Sequence, residues 1–167
     1  MSATTDHPFS VPRYPSAASD RKPRERLLVS QSGEAFAAGD LPLIQLALPD
    51  YADLAALHQA LADYLADARV GLRLELHGDQ AFVWPLHALA RGAGLEDDEI
   101  HLYSSAASLR RVFCVHCSTC QPASAADLLT CAHCGVALEV RRHFSQRLGA
   151  YLGVCADAEQ PYAEVRP

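Results

Sequence analysis

The chain has 167 residues, half of them apolar, and carries a formal net charge of −6. This length suits one domain or two small ones, and no apolar stretch is long enough to cross a bilayer. The first 26 residues lack the apolar segment of a secretory signal, so we expect a cytoplasmic protein without membrane contact.

The two ends of the chain are predicted to be tails. Residues 1–26 hold four prolines and almost no large aliphatic side chains. Such a composition cannot offset the entropy lost on ordering, which predicts a disordered Pro/Ser-rich tail. Residues 159–167 form a second, shorter tail.

Residues 27–110 are predicted to form an α/β domain. Apolar residues recur at helical spacing from Leu54 to Leu65 after a potential N-cap at Asp50, and alternate from Val70 to Leu76 as in a strand. The predicted elements are a strand at 41–48, a helix beginning after Asp50, a strand at 70–76, a turn at 77–79, a helix at 83–93 ended by Gly94, and a strand at 99–104. This alternation predicts a small parallel sheet with right-handed crossovers, a Rossmann-like half. Neither the Gly-x-Gly-x-x-Gly fingerprint nor the Gly-rich phosphate loop is present.

Two cysteine knuckles dominate the C-terminal third. Cys114-Val-His-Cys117 and Cys131-Ala-His-Cys134 are separated by 13 residues, and Gly135 follows the second where a positive φ is commonly needed. Two such pairs form a tetrahedral thiolate site of the kind that structural zinc prefers. Cys114, Cys117, Cys131 and Cys134 are therefore the predicted metal ligands. We expect a four-cysteine zinc ribbon over residues 111–158, with strands at 111–115, 128–130 and 137–144 and a short C-terminal helix over 145–152.

Cys120 leaves a second type of metal site open. With Cys114 and Cys117 it begins the C-x2-C-x2-C run of an iron–sulfur protein, but position 124 is a serine where that run needs its fourth cysteine. Iron at these cysteines would make the protein an electron-transfer module. Zinc is the favoured metal, with Cys120 as a spare thiol and Cys155 as a small apolar residue.

The charge is unevenly distributed. Residues 31–104 have a net charge of −9, whereas residues 105–150 carry five arginines against two acids. A nucleic-acid-binding ribbon would use Arg110, Arg111, Arg141, Arg142 and Arg147. The acidic remainder of the chain argues against nucleic acid and favours a solvated face or a docking surface for an acidic partner.

No self-sufficient active site is predicted. The histidines show no H-x-x-x-H or H-E-x-x-H spacing, and no Gly-x-Ser-x-Gly elbow is present. His116 and His133 lie between paired ligands, where side chains usually face outward. Four cysteines leave no open coordination position for water.

The run RVFCVHC, followed by TCAHCGVALEVRRHFSQRLGAYLGV, resembles the C-terminal domain of the DmmA-like family, associated with dimethylamine monooxygenase. The most specific part is the segment from His143 to Val154. The resemblance implies a small subunit of a multi-subunit haem-dependent oxygenase that converts dimethylamine to methylamine and formaldehyde. It also implies that haem, FMN and an iron–sulfur cluster lie on partner chains, a haem subunit and a flavin/iron–sulfur reductase subunit. This chain is then expected to be a non-catalytic, zinc-binding subunit, with His143, Arg147 and Tyr151 as candidates for partner contact.

Overall fold

The computed structural model describes residues 11–12, 22–34, 40–104 and 109–157. These residues divide into two compact units, an α/β unit over 22–104 and a cysteine-rich unit over 109–157 with residues 11–12. The predicted tail over 159–167 lies outside the described residues, as does most of the one over 1–26.

Four parallel strands and two helices form the α/β unit. The strands are Glu25–Ser30 (β1), Leu43–Ala47 (β2), Leu72–Gly78 (β3) and Ile100–Ser104 (β4), and the helices are Leu54–Ala66 (α1) and Gln80–Gly92 (α2). The sheet order is β2-β1-β3-β4, and every pair is parallel. The parallel sheet is thus confirmed, with β1 as a strand that the sequence did not predict. The strand was missed because residues 27–30 are all buried. A short run that is buried on both faces lacks the alternation of apolar and polar residues by which a strand is recognised in a sequence.

Both helices begin at a different residue from the one predicted. Asp53, not Asp50, caps α1, because residues 48–50 form a 3-10 turn and the Asp53 carboxylate accepts the N–H of Ala56 at 2.8 Å. Similarly, the Asp79 carboxylate accepts the N–H of Phe82 at 2.8 Å, and α2 begins at Gln80, three residues before the predicted start at residue 83. A carboxylate that satisfies an otherwise unpaired N–H is sufficient to set the first turn. Gly94 has a φ of +100° just after α2, in accord with its predicted role in ending that helix.

The two faces of the sheet differ in chemistry. Leu74, Leu76 and Gly78 lie on the face covered by α2, and a Cβ at Gly78 would come within 2.6 Å of Phe82. The opposite face carries Glu75, whose carboxylate accepts two hydrogen bonds of 2.9 Å from the Arg26 guanidinium. None of the helices in the described part of the chain is long and apolar enough to span a membrane.

The cysteine-rich unit is a five-stranded sheet. Its strands are Arg110–Cys114 (β5), Cys120–Ala123 (β6), Leu128–Thr130 (β7), Ala137–Ser145 (β8) and Ala150–Cys155 (β9). The order is β6-β5-β9-β8-β7, with β5 and β9 parallel and the other pairs antiparallel. The predicted strands around the knuckles are present, and β6 and β9 are additional.

The prediction of a C-terminal helix over 145–152 is wrong, since this segment is a turn followed by the start of β9. Ser145 does cap one turn, since its hydroxyl accepts the N–H of Leu148 at 3.3 Å. Gly149 then adopts a φ of +58° and reverses the chain, so the following residues enter β9 between two strands. Gly153 allows this close pairing, because a Cβ there would lie 2.9 Å from Val112 and 3.0 Å from Leu138.

Candidate metal centre

The two knuckles are held by the same pair of backbone hydrogen bonds. The N–H of the first cysteine donates to the carbonyl five residues on, from Cys114 to Thr119 at 2.8 Å and from Cys131 to Val136 at 2.9 Å. The carbonyl of that cysteine accepts the N–H four residues on, at 2.8 and 2.9 Å respectively. Each cysteine pair is therefore presented by an equivalent turn, although the sequences between the cysteines differ.

The four predicted ligands converge. Their Sγ atoms all lie within 4.8 Å of one another. Across the two knuckles, the sulfur atoms of Cys114 and Cys134 are 3.8 Å apart and those of Cys117 and Cys131 are 3.7 Å apart. A tetrahedral zinc ion with Zn–S bonds of about 2.3 Å requires sulfurs about 3.8 Å apart. The arrangement of thiols therefore fits a mononuclear tetrahedral metal ion.

The surroundings raise the net pKa of two of the four thiols and lower that of the other two. At Cys134 a backbone N–H lowers the pKa, but burial and hydrogen bonds with neighbouring thiols outweigh it and the net pKa is raised. Burial raises the pKa of the Cys114 thiol to about 12. By contrast, a 3.0 Å hydrogen bond with the Thr119 hydroxyl lowers the pKa of Cys117 to about 6. Burial also raises the pKa of Cys131, but its hydrogen bonds with backbone N–H groups outweigh this effect and the net pKa is lowered. A metal cation at the centre would stabilise the thiolates that burial alone disfavours.

Gln121 supports the second knuckle from the opposite edge of the sheet. Its Nε2 donates to the carbonyl of Thr130 at 3.2 Å, and its Oε1 accepts the N–H of Ala132 at 2.7 Å. One carboxamide thus holds the backbone on both sides of Cys131 and links β6 to the end of β7. Sequence reasoning missed Gln121 and Thr119, since neither is marked by any spacing rule.

The two remaining cysteines lie outside the four-sulfur group. Cys120 is on β6, where burial raises the pKa of its thiol. Cys155 is half-buried beside the cluster and donates its S–H to the carbonyl of Asp157 at 2.9 Å. All six cysteines are free thiols. The structure therefore groups the cysteines as two C-x-x-C pairs rather than as the run through Cys120.

The other candidate residues do not form a second centre. His116 and His133 are exposed on the knuckle tips, as predicted. No other group of histidine, cysteine or acidic side chains within the described ranges has ligand atoms close enough to hold a metal. Three of the five arginines are paired within the chain. Arg110 donates to the carbonyls of residues 124 and 126, Arg111 donates to that of residue 148, and Arg141 donates to the Glu139 carboxylate.

Two hydrogen bonds bridge the crevice where α/β sheets bind ligands. Between β1 and β3, at their carboxyl ends, the Gln31 carboxamide accepts the N–H of Asp79 at 2.8 Å and donates to its carboxylate at 3.1 Å. Ligands of doubly wound sheets bind at this reversal of strand order, with phosphate at the following helix N-terminus. Here the Asp79 carboxylate occupies that N-terminus, so its negative charge opposes a phosphate.

Comparison with known proteins gives two matches. Residues 111–154 match the family described as dimethylamine monooxygenase subunit DmmA-like, C-terminal domain. The chain is also 61% identical over 173 aligned residues to the heme-dependent oxidative N-demethylase delta subunit of Ectopseudomonas mendocina (strain ymp), and 99% of each chain is covered. No solved structure matches the chain significantly.

Proposed function

The chain belongs to the DmmA-like family of dimethylamine monooxygenase subunits, and on that premise we propose that it is a non-catalytic, zinc-binding subunit of a haem-dependent N-demethylase. The observation that carries this proposal is the likeness to a delta subunit over nearly the full length of both chains. A likeness from end to end includes the α/β unit as well as the cysteine-rich unit, so it supports a shared role for the whole chain.

The proposed complex oxidises dimethylamine with O2 to methylamine and formaldehyde, drawing electrons from a reduced nicotinamide. Haem, FMN and an iron–sulfur cluster are assigned to a haem subunit and a flavin/iron–sulfur reductase subunit. Two features of this chain support that assignment. Ser118 and Gly135 stand where a covalent haem motif would need histidine, and Gln31 bridges the sheet crevice to an Asp79 carboxylate that opposes a phosphate.

Zinc is proposed to be structural and to be held by Cys114, Cys117, Cys131 and Cys134. The sulfur separations support a tetrahedral ion, and four thiolates complete its coordination. When bound, zinc supplies folding free energy to the cysteine-rich unit rather than a reactive water. Thr119 and Gln121 hold the ligands in place.

The proposed location is the cytoplasm, where thiols stay reduced. The free thiols support this location, because cysteines in a reducing compartment remain thiols and can bind a metal instead of forming disulfides. The proposed domains are 27–110 and 111–158, the second ending in β9 in place of the predicted helix.

Native mass spectrometry of the protein purified from its own host tests this function, with metal analysis and a visible spectrum on the same sample. We expect one zinc per chain, no visible absorbance from the isolated chain, and a complex whose other subunits carry haem and flavin. A chain that stays alone, or one that holds iron with a reversible redox couple, would contradict the proposal.

A further inference from the structure

The hairpin of β8 and β9 contains a large bulge. Val140 pairs with Gly153, and the next pair is Phe144 with Tyr151. Three residues of β8 therefore face a single residue of β9, Leu152. Bulges of this kind redirect side chains that a regular strand would turn inward.

The bulged residues are all basic or titratable and all exposed. They are Arg141, Arg142 and His143, which we call the basic bulge. The residues on either side are anchored, since Val140 is 6% exposed and Phe144 is 1% exposed. In a regular strand at least one of the three would point into the core, so the bulge is what allows three consecutive polar side chains to reach the surface.

The basic bulge lies on an edge of the sheet. Strand β7 pairs with β8 only at residues 137–139, and the last backbone bond on that side joins Val140 to Asp127 at 2.7 Å. Beyond that point, on the β7 side, no strand in the described part of the chain pairs with residues 141–145, which on their other side adjoin β9. A bulge and positive charges discourage edge-to-edge pairing with another strand, so a partner would contact side chains here rather than extend the sheet.

The charges of this region are only partly neutralised. Arg141 contacts the carboxylate of Glu139 at 2.9 Å. Arg142 on the bulge and Arg147 in the turn of the same hairpin have no carboxylate within 4.0 Å among the residues that the structure describes. Tyr151, in contrast, packs its ring 5.1 Å from that of Phe144 and 5.4 Å from the Arg110 guanidinium. Of the three residues predicted for partner contact, His143 and Arg147 are thus exposed, whereas Tyr151 is engaged within the chain.

We propose that the basic bulge, together with Arg147, is the surface through which this subunit docks onto a carboxylate-rich face of another subunit of the N-demethylase. The inference rests on the proposed function and names the chemistry of the contact. Guanidinium groups bind carboxylates through two parallel hydrogen bonds, and arginine is enriched at protein interfaces. This edge presents two arginines and a histidine in succession, so several donors can meet the same acidic face.

Binding of the full chain to the purified remaining subunits of the N-demethylase from the same organism tests the surface. The dissociation constant is measured at low and high salt for the wild type, R142E and R142K. R69E is the matched control, because Arg69 is an exposed arginine of the α/β unit and the charge change is the same. We expect R142E to weaken binding about tenfold or more and to reduce its salt dependence, with R142K intermediate and R69E within about twofold of wild type.

The zinc content and melting temperature of each variant show that it is folded, and R142Q replaces R142E if the latter is not. Equal binding by the wild type, R142E and R142Q would overturn the docking surface while leaving the proposed function in place. A wild-type chain that binds no subunit would overturn both. Binding to a DNA duplex that R142E weakens, with subunit binding unchanged, would assign the surface to nucleic acid instead.

Discussion

Ser118 and Gly135 occupy equivalent positions in the two knuckles, and both have a positive φ, 59° and 72° respectively. Each follows the second cysteine of its knuckle and donates the N–H that closes the turn onto the carbonyl of the first cysteine. The two turns therefore impose the same backbone conformation, but only one of them has glycine. A residue with a Cβ is disfavoured at positive φ, so the first knuckle carries a strain that the second avoids.

Substitution at these positions is expected to shift stability in opposite directions. S118G should stabilise the cysteine-rich unit by about 0.5–1 kcal/mol, and G135A should destabilise it by about 1 kcal/mol or more. Urea unfolding at saturating zinc measures both. G92A in α2 is the control, since a Cβ there meets nothing within 4 Å and no positive φ is involved, so it should not destabilise the protein. A G135A protein as stable as the wild type would contradict the interpretation.

Loss of Gln121 is expected to loosen the second knuckle. Q121A removes two hydrogen bonds to the backbone beside Cys131, at a cost of about 1–3 kcal/mol together. It should also speed the transfer of zinc to a chelator. Q146A is the matched control, because Gln146 is a half-buried glutamine of the same unit. A colorimetric chelator measures the rate of zinc release. Equal rates for Q121A and Q146A would contradict this role of Gln121.

Removal of one ligand is expected to unfold the cysteine-rich unit. C131S should lose zinc, and with it the near-ultraviolet signal and cooperative melting of residues 109–157, because metal binding and folding are coupled in such sites. C120S should keep one zinc per chain and the wild-type melting curve, since Cys120 lies outside the four-sulfur group. Metal analysis after gel filtration measures this difference, and zinc loss from C120S alone would reassign the ligands.

The Arg26–Glu75 pair is expected to make stability depend on acid pH. Burial raises the pKa of Glu75, but the bidentate bond with Arg26 outweighs it and the net pKa is lowered. A carboxyl with a lowered folded pKa contributes stability above its unfolded value of about 4.3, and that contribution is lost as pH falls through the folded pKa. R26M should therefore destabilise the α/β unit by about 1–3 kcal/mol at pH 7, and by less in acid.

Urea unfolding between pH 3 and 8 separates this effect from that of nearby histidines. Burial lowers the pKa of His77 and of His101, so their protonation also destabilises the folded unit, but it begins at higher pH than that of Glu75. E75Q should keep the histidine part of the profile and lose the slope below about pH 4.3. A wild-type slope in E75Q would show that the carboxylate is not responsible.

Local chemistry explains what the sequence predicted correctly. Cysteines three residues apart can reach one metal ion through a single turn, so Cys114 with Cys117 and Cys131 with Cys134 could be paired without knowledge of the fold. The alternation of apolar residues across β3 and the helical spacing in α1 are likewise properties of neighbouring residues. The run from His143 to Val154 identified the family for the same reason, since it is a contiguous motif.

Contacts between distant residues decided the rest. Residues 150–155 form a strand rather than a helix because β5 and β8 lie on either side of them and Gly153 fits between Val112 and Leu138. Gln121 supports Cys131 because β6 and β7, at opposite ends of the strand order, meet at this side chain. The bulge that exposes Arg142 arises from the register between β8 and β9. By itself, the sequence determined the two cysteine pairs, the parallel sheet and the family, because local spacing encodes them. Pairing across the chain determined the last strand, the residues that support Cys131 and the basic edge, because those depend on which strands are neighbours.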